Sequence, residues 1–265
     1  VIPDRFGNRR RLREKGAVGV FSAHDEESGS AVIVKTFDPA RAPQDPIGAM
    51  RFRREVLIAS VLSHPAVVRC LGHGEDWIAF ERLDGSLAAS ERCSRFQDPQ
   101  RLGVLLCELA EALAYIHGRG IVHCDLKPAH VMFRADQAVL IDFGVAALVS
   151  GDPLAGAELA GSPAWMSPEQ LDGLPARPCF DIWSLCAVGA WLLSDAPAIT
   201  GTADDRLAAR TNQSAPPFDL AGLRHHGSVL ADLLIAGLGP MEHRPEAAEI
   251  AHRLRDQEIA RSTAG

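Results

Sequence analysis

The sequence contains six cysteines but no Cys-x-x-Cys pair. That removes the commonest zinc and redox motifs and fits a reducing compartment, the cytoplasm. No apolar run reaches the ~18–20 residues that a membrane span needs, and no secretory leader pattern opens the chain, so no membrane contact is expected from this segment. No period of ~20–50 residues repeats and no low-complexity tract intervenes, which sets solenoids aside. Positive charge is not in excess either: 27 Lys and Arg stand against 34 Asp and Glu, a formal net charge of −7. Nucleic acid is therefore not an expected partner. The local exception, Arg9, Arg10, Arg11 and Arg13, reads as a solvated segment.

With 265 residues, 47% of them hydrophobic, the chain is long enough for one large domain or two lobes sharing a cleft. The first 83 residues have the pattern of strands. "VGVFSAH" (18–24) and the β-branched run "AVIVKTF" (31–37), separated by the turn signal "ESGS", read as a hairpin. A helix is predicted over about 47–62 and a further strand over 77–82. Beyond "DGS" (84–86) the pattern becomes helical. Asp98 and Pro99 have N-cap and first-turn chemistry, and Leu102, Leu105, Leu106, Leu109, Leu113 and Ile116 recur at helical spacing until Gly118. Residues 181–193 are apolar on nearly every side, as in a helix at the centre of a lobe. A last helix is announced by Pro245 and runs over 246–255.

Several segments carry groups suited to phosphoryl transfer. That reaction needs a cation on nucleotide phosphates, metal-holding carboxylates, and a carboxylate to orient the attacking hydroxyl. "VIVK" ends a strand on Lys35, and "RREV" places Glu55 on the following helix. "HCDLK" supplies Asp125 and Lys127 on a loop, and "IDFG" supplies Asp142 after the strand candidate 138–141.

In this order the motifs resemble those of the protein kinases, and within them the bacterial serine/threonine kinases. "GSPAWMSPEQ" (161–170) is similar to the end of a kinase activation segment, with Arg244 where the family pairs an arginine with the glutamate of Ser167-Pro168-Glu169. Asp181 matches the aspartate opening the buried central helix. The resemblance covers about residues 12–195 and resumes at "HRPEAAEI" (243–250). It implies a bilobal α+β fold, with a β-rich N-lobe at 1–83 and a helical C-lobe at 84–265. It also implies ATP and magnesium, or manganese, as cofactors and a protein as substrate. Asp125 would be the catalytic base and Lys127 its partner at the γ-phosphate. Lys35 would hold the α- and β-phosphates and Glu55 would hold Lys35. The remaining nucleotide contacts would come from Gly16, Gly19, Val20, Ile33, Glu81, Leu83 and Met132, with Phe80 as gatekeeper. Asp142 and His130 would hold the metal. Lys127 and Ser162 favour a serine or threonine acceptor over tyrosine.

The sequence departs from the family at four places. In the gapless register, the three glycine positions of the phosphate loop fall on Arg13, Lys15 and Val18; a one-residue shift recruits Gly16 and Gly19 instead. Ile33 stands where alanine is usual. His130 replaces an asparagine, either as a nitrogen ligand poorly suited to magnesium or as a hydrogen-bond partner of Asp125. Cys124 replaces the arginine that clamps a phosphorylated activation loop, and Ser150 is the only hydroxyl in 145–160, so activity is expected not to depend on that phosphate. Two rival readings stand beside the enzyme. One is a pseudokinase acting as a binding or scaffold module. The other, a small-molecule phosphotransferase, lacks a segment like "GSPAWMSPEQ".

Overall fold

The computed structural model describes residues 2–149, 161–193 and 228–264. It opens on five antiparallel strands: β1 (Phe6–Lys15), β2 (Val18–Asp25), β3 (Ser30–Phe37), β4 (Cys70–His73) and β5 (Trp77–Glu81), in the order β1-β2-β3-β5-β4. The predicted hairpin is β2 and β3, which pair without a bulge from Val18 opposite Phe37 to Asp25 opposite Ser30.

The arginine cluster is exposed, as expected of a solvated segment, but it forms a strand, β1, which the sequence pattern does not announce. Its arginines break the apolar alternation by which a strand is recognised, but β1 is an edge strand, where charge is tolerated and discourages pairing with another chain. Its buried anchor is Phe6, packed edge-on against Trp77 with ring centroids 5.3 Å apart.

The β1–β2 turn is two residues long, since Lys15 pairs with Val18. Gly16 takes φ +57° there, and a Cβ on it would lie 2.1 Å from Asp45 Oδ2. Both the backbone and the space require glycine. Asp45 is the N-cap of α1 (Pro46–Ala59), accepting from the Gly48 amide at 2.9 Å and, across the turn, from the Ala17 amide at 3.0 Å. One carboxylate thus ties the hairpin tip to the helix that carries Glu55. These amides hold the Asp45 carboxyl below its ordinary range. The helix ends at Ala59, short of the predicted 62.

Helices dominate the rest. After the short α2 (Ser90–Arg95), α3 (Pro99–His117) starts where Asp98 caps the amides of Gln100 and Arg101. It buries the predicted leucine stripe and stops at Gly118. Between α3 and the later helices lie two small antiparallel pairs. One joins β6 (Ile121–Val122) to β9 (Ala147–Leu148), the other β7 (Val131–Arg134) to β8 (Gln137–Leu140). Then come α4 (Pro168–Leu171), α5 (Pro178–Leu193), α6 (Val229–Gly237) and α7 (Ala247–Ala264), the last extending beyond the predicted 255. α5 is buried on all sides. A single apolar cluster runs from Phe52 and Ile58 on α1 through Phe80 and Leu113 to Leu254 on α7. Among the described residues no helix is long and apolar enough to cross a membrane.

Candidate active site

Two cavities meet at Lys35, Glu55 and Asp142. The first, of ≈ 440 Å³, is lined by Ile33, Phe80, Glu81, Leu83, Met132 and Ile141 among others. It is mostly apolar and in the size range of ligand pockets. The second, of ≈ 410 Å³, contains Val20, Asp125, Lys127, His130 and Ser162. Eleven of the thirteen expected site residues therefore line one cavity or the other. The two exceptions, Gly16 and Gly19, line neither; Arg13, Lys15 and Val18 line the second instead. This corrects the shifted loop in favour of the gapless register, because Gly16 is committed to the turn and faces Asp45.

Lys35 reaches across from β3 to α1, with Nζ 2.5 Å from Glu55 Oε1 and 3.7 Å from Asp142 Oδ1. Burial opposes the ammonium, but the Glu55 and Asp142 carboxylates outweigh it and raise the Lys35 pKa. Burial pushes the Glu55 carboxyl up to about 7, with Lys35 opposing. Burial also works against the Asp142 carboxylate, but Lys35, His130, the Gly144 amide and His123 prevail and hold it well below its usual range. Asp142 takes a left-handed φ of +69°, a conformation that persists only when its surroundings fix it. The neighbouring Phe143 is fully buried, 5.2 Å from the His123 ring.

The loop that carries Asp125 is held from below. Asp181, buried at the start of α5, accepts from the amides of His123 (2.7 Å) and Cys124 (2.9 Å) and contacts His117 Nε2 at 2.8 Å. Cys124 sits at φ +65° with its carbonyl bound by the Gln170 side chain at 2.7 Å. Burial pushes its thiol pKa well up, so it is a neutral, inert side chain here. Lys127 Nζ donates to both Asp125 Oδ2 (2.7 Å) and Ser162 Oγ (2.6 Å). The other oxygen, Asp125 Oδ1, is buried without a hydrogen-bond partner. A buried acceptor left open in this way is costly unless a donor arrives.

His130 lies between the two aspartates. Its Nδ1 is 2.9 Å from the Asp125 carbonyl, which can only accept, so Nδ1 carries the hydrogen. Burial lowers its pKa to about 4, leaving a neutral ring whose Nε2 lone pair faces Asp142 Oδ2 at 3.5 Å. Two acceptors face one another there, and a cation satisfies both. Among the described residues no three His, Cys, Asp or Glu side chains form a ready-made metal site.

The polar frame of the helical part follows the same plan. Arg244, its side chain only 1% exposed, makes a two-pronged pair with Glu169 at 2.7 and 2.9 Å. The description of the protein kinase domain matches residues 15–228. The chain belongs to the protein kinase family.

Among its relatives, it is 34% identical over 216 residues to a probable serine/threonine-protein kinase of Streptomyces coelicolor, covering 75% of this chain and 32% of that protein. A serine/threonine-protein kinase of Myxococcus xanthus is 32% identical, over 83% of this chain and 28% of its own length. The kinase PknB of Mycobacterium tuberculosis is 31% identical, over 92% of this chain and 41% of its own. The chain thus spans well under half the length of the curated relatives it matches.

Within this kinase fold, sequence reasoning left three features unread. Asp45 is one, although its Asp-Pro signal is the same as that at 98–99 and could have been used. The unpaired Oδ1 of Asp125 and the tautomer of His130 are the others; both depend on contacts that no local pattern encodes. Glu81 also does more than line the cavity: its carboxylate binds Arg134, with Nε at 2.9 Å, and the Arg69 amide at 2.8 Å. Its own amide donates to the Arg69 carbonyl. Leu83, the other expected hinge residue, makes no backbone–backbone hydrogen bond outside the strand ladders among the described residues. Ser150 lies outside the described residues.

Proposed function

We propose that the chain transfers the γ-phosphoryl group of ATP to serine or threonine hydroxyls of a protein substrate, in the cytoplasm. The observation that carries this reading is the state of Asp125, which lines the cavity shared with Lys35 and Asp142: one carboxylate oxygen is held by Lys127, and the other is buried without a hydrogen-bond partner. Here the Asp125 carboxylate accepts the hydrogen bond of the incoming hydroxyl, orients it, and takes its proton as that oxygen bonds to the γ-phosphorus and the bond from phosphorus to the departing ADP oxygen breaks. Lys127, bridged to Ser162, fixes the other oxygen and neutralises charge near the transferred group. Lys35, steadied by Glu55, holds the nucleotide phosphates, while Ile33, Val20, Leu83 and Met132 pack against the base. The six unpaired cysteines agree with a reducing cytoplasm.

Asp142 and His130 would hold a divalent cation, which supplies charge neutralisation on the phosphate oxygens. Asp142 offers the hard oxygen ligand, and Nε2 of His130 a softer one that favours manganese over magnesium. His130→Asn is expected to raise magnesium-supported transfer several-fold and to narrow the manganese preference, read as initial rates with each metal. A fall with both metals would instead assign His130 to holding the Asp125 loop through its bond to the Asp125 carbonyl.

Binding is tested by thermal unfolding with ATP and millimolar magnesium or manganese. At ~100 times the dissociation constant a ligand adds about 2.7 kcal/mol, a rise of roughly 5–10 °C for a domain of this size. No rise with either metal would remove the nucleotide-binding basis of the proposal.

A further inference from the structure

The pairing of β1 with β2 slips between Arg11 and Arg13: Arg11 lies opposite Phe21 and Arg13 opposite Val20, so two steps along β1 match one along β2. A bulge of this kind inserts one residue and reverses the face taken by the side chains that follow. Before the bulge, Arg11 occupies the outer face, its guanidinium 5.7 Å from the Phe21 ring centroid and 2.6 Å from Glu14 Oε2. After it, Arg13 and Lys15 line the cavity that contains Lys35, Lys127 and Asp142. Their partners across the hairpin, Val20 and Val18, line the same cavity, as residues opposite one another must. Glu14, between them, points outward to Arg11 and Arg41. Without the inserted residue, Arg13 and Lys15 would share the outer face with Arg11.

The cations on the cavity floor already have protein partners. Lys35 is paired with Glu55 and Lys127 with Asp125. The side chains of Arg13 and Lys15, by contrast, make no hydrogen bond or close ion pair among the described residues, although the charge of Lys15 acts on the Asp45 carboxylate. Two positive side chains are therefore turned by a bulge into a cleft, where neither is held by a close ion pair and only Lys15 has an anion nearby, the Asp45 carboxylate. Where glycines occupy such a hairpin, the bare backbone approaches the phosphates. Here side chains hold the backbone back, but a guanidinium and an ammonium reach further and form stronger, charge-assisted hydrogen bonds to phosphate oxygens.

We propose that Arg13 and Lys15 form a side-chain clamp on the phosphate groups of the bound nucleotide, replacing the backbone contacts of a glycine-rich loop. The inference rests on the nucleotide-binding reading above and deepens it: recognition is weighted toward phosphate charge, so affinity rises steeply from nucleoside to triphosphate and weakens with salt.

The test is isothermal titration of the chain and of Arg13→Ala, Lys15→Ala and the double variant with adenosine, ADP and ATP, at low and high salt, with thermal unfolding as a check on folding. The clamp predicts that the double variant binds ATP about tenfold or more weakly, binds adenosine unchanged, and has a shallower salt dependence. Arg13→Lys should recover most of the ATP affinity. Equal ATP affinity in the parent and double variants would overturn the clamp, as would an equal loss for adenosine and ATP, which marks a structural role. If the parent chain binds adenosine and ATP equally, the clamp fails while the nucleotide pocket stands. If it binds neither, the nucleotide-binding reading itself fails, and the clamp with it.

Discussion

Asp125→Asn is expected to lower phosphoryl transfer about 10²–10⁴-fold, the usual contribution of a positioned acid–base group, while ATP affinity stays within a few-fold. The asymmetry follows from where the carboxylate sits. Its Oδ2 is bound by Lys127 and its Oδ1 is buried without a hydrogen-bond partner; Asp125 does not line the pocket that holds the base. An asparagine keeps the shape and can still accept a hydrogen bond through one atom, but it cannot take a proton, and it removes the negative partner of Lys127. Initial rates at saturating ATP, set beside ATP titration of the same variant, separate the two effects. A variant that loses transfer and ATP affinity together would move Asp125 from the reacting hydroxyl to nucleotide binding or folding.

The second large effect concerns stability. Arg244→Ala is expected to destabilise the chain by about 3–5 kcal/mol, because removing one member of a buried pair strands the other. Arg244 binds Glu169 through both terminal nitrogens, donates to the carbonyls of Gly239 (3.0 Å) and Cys179 (3.2 Å), and lies 4.9 Å from the Trp183 ring centroid. The fall in melting temperature should be roughly 10 °C or more. The pair also gives stability a pH dependence of known sign. Burial opposes the Glu169 carboxylate, but Arg244 outweighs it and holds the carboxyl below its ordinary 4.5. A depressed carboxyl contributes fully above the unfolded value and loses that contribution as pH falls through the folded one. The parent chain should therefore lose stability below about pH 4.5, and Arg244→Ala should lose less over the same interval. Denaturant unfolding at pH 7 and pH 4 measures both; an unchanged midpoint at pH 7 would show that the pair contributes nothing net.

How much of this was legible in the sequence depended on how local the signal was. Helix α3 was readable from end to end because its N-cap, its leucine spacing and Gly118 are all local chemistry. α5 was readable because no polar face interrupts it. Lys35, Glu55, Asp125 and Asp142 were located by resemblance, their order along the chain being distinctive although no single motif is. β1 was missed because its arginines hide the strand period, and the bulge within it could not be read at all, since register belongs to the partner strand as much as to β1 itself. The substitution of Arg13 and Lys15 for glycines therefore read only as a loss. With the pairing known, the same two residues become cations aimed into the cleft. The sequence does not decide between the two roles of His130 for a similar reason: its tautomer is set by the Asp125 carbonyl, a contact made by the folded loop.

Transfer to protein hydroxyls is measured by incubating the chain with ATP labelled at the γ-phosphate and a generic protein acceptor, with magnesium or manganese, beside Asp142→Ala. Label is expected on serine and threonine with the parent chain, dependent on the divalent cation, and none with the variant. Bound ATP without any transferred label under either metal would contradict the proposed transfer and leave the chain a nucleotide-binding module.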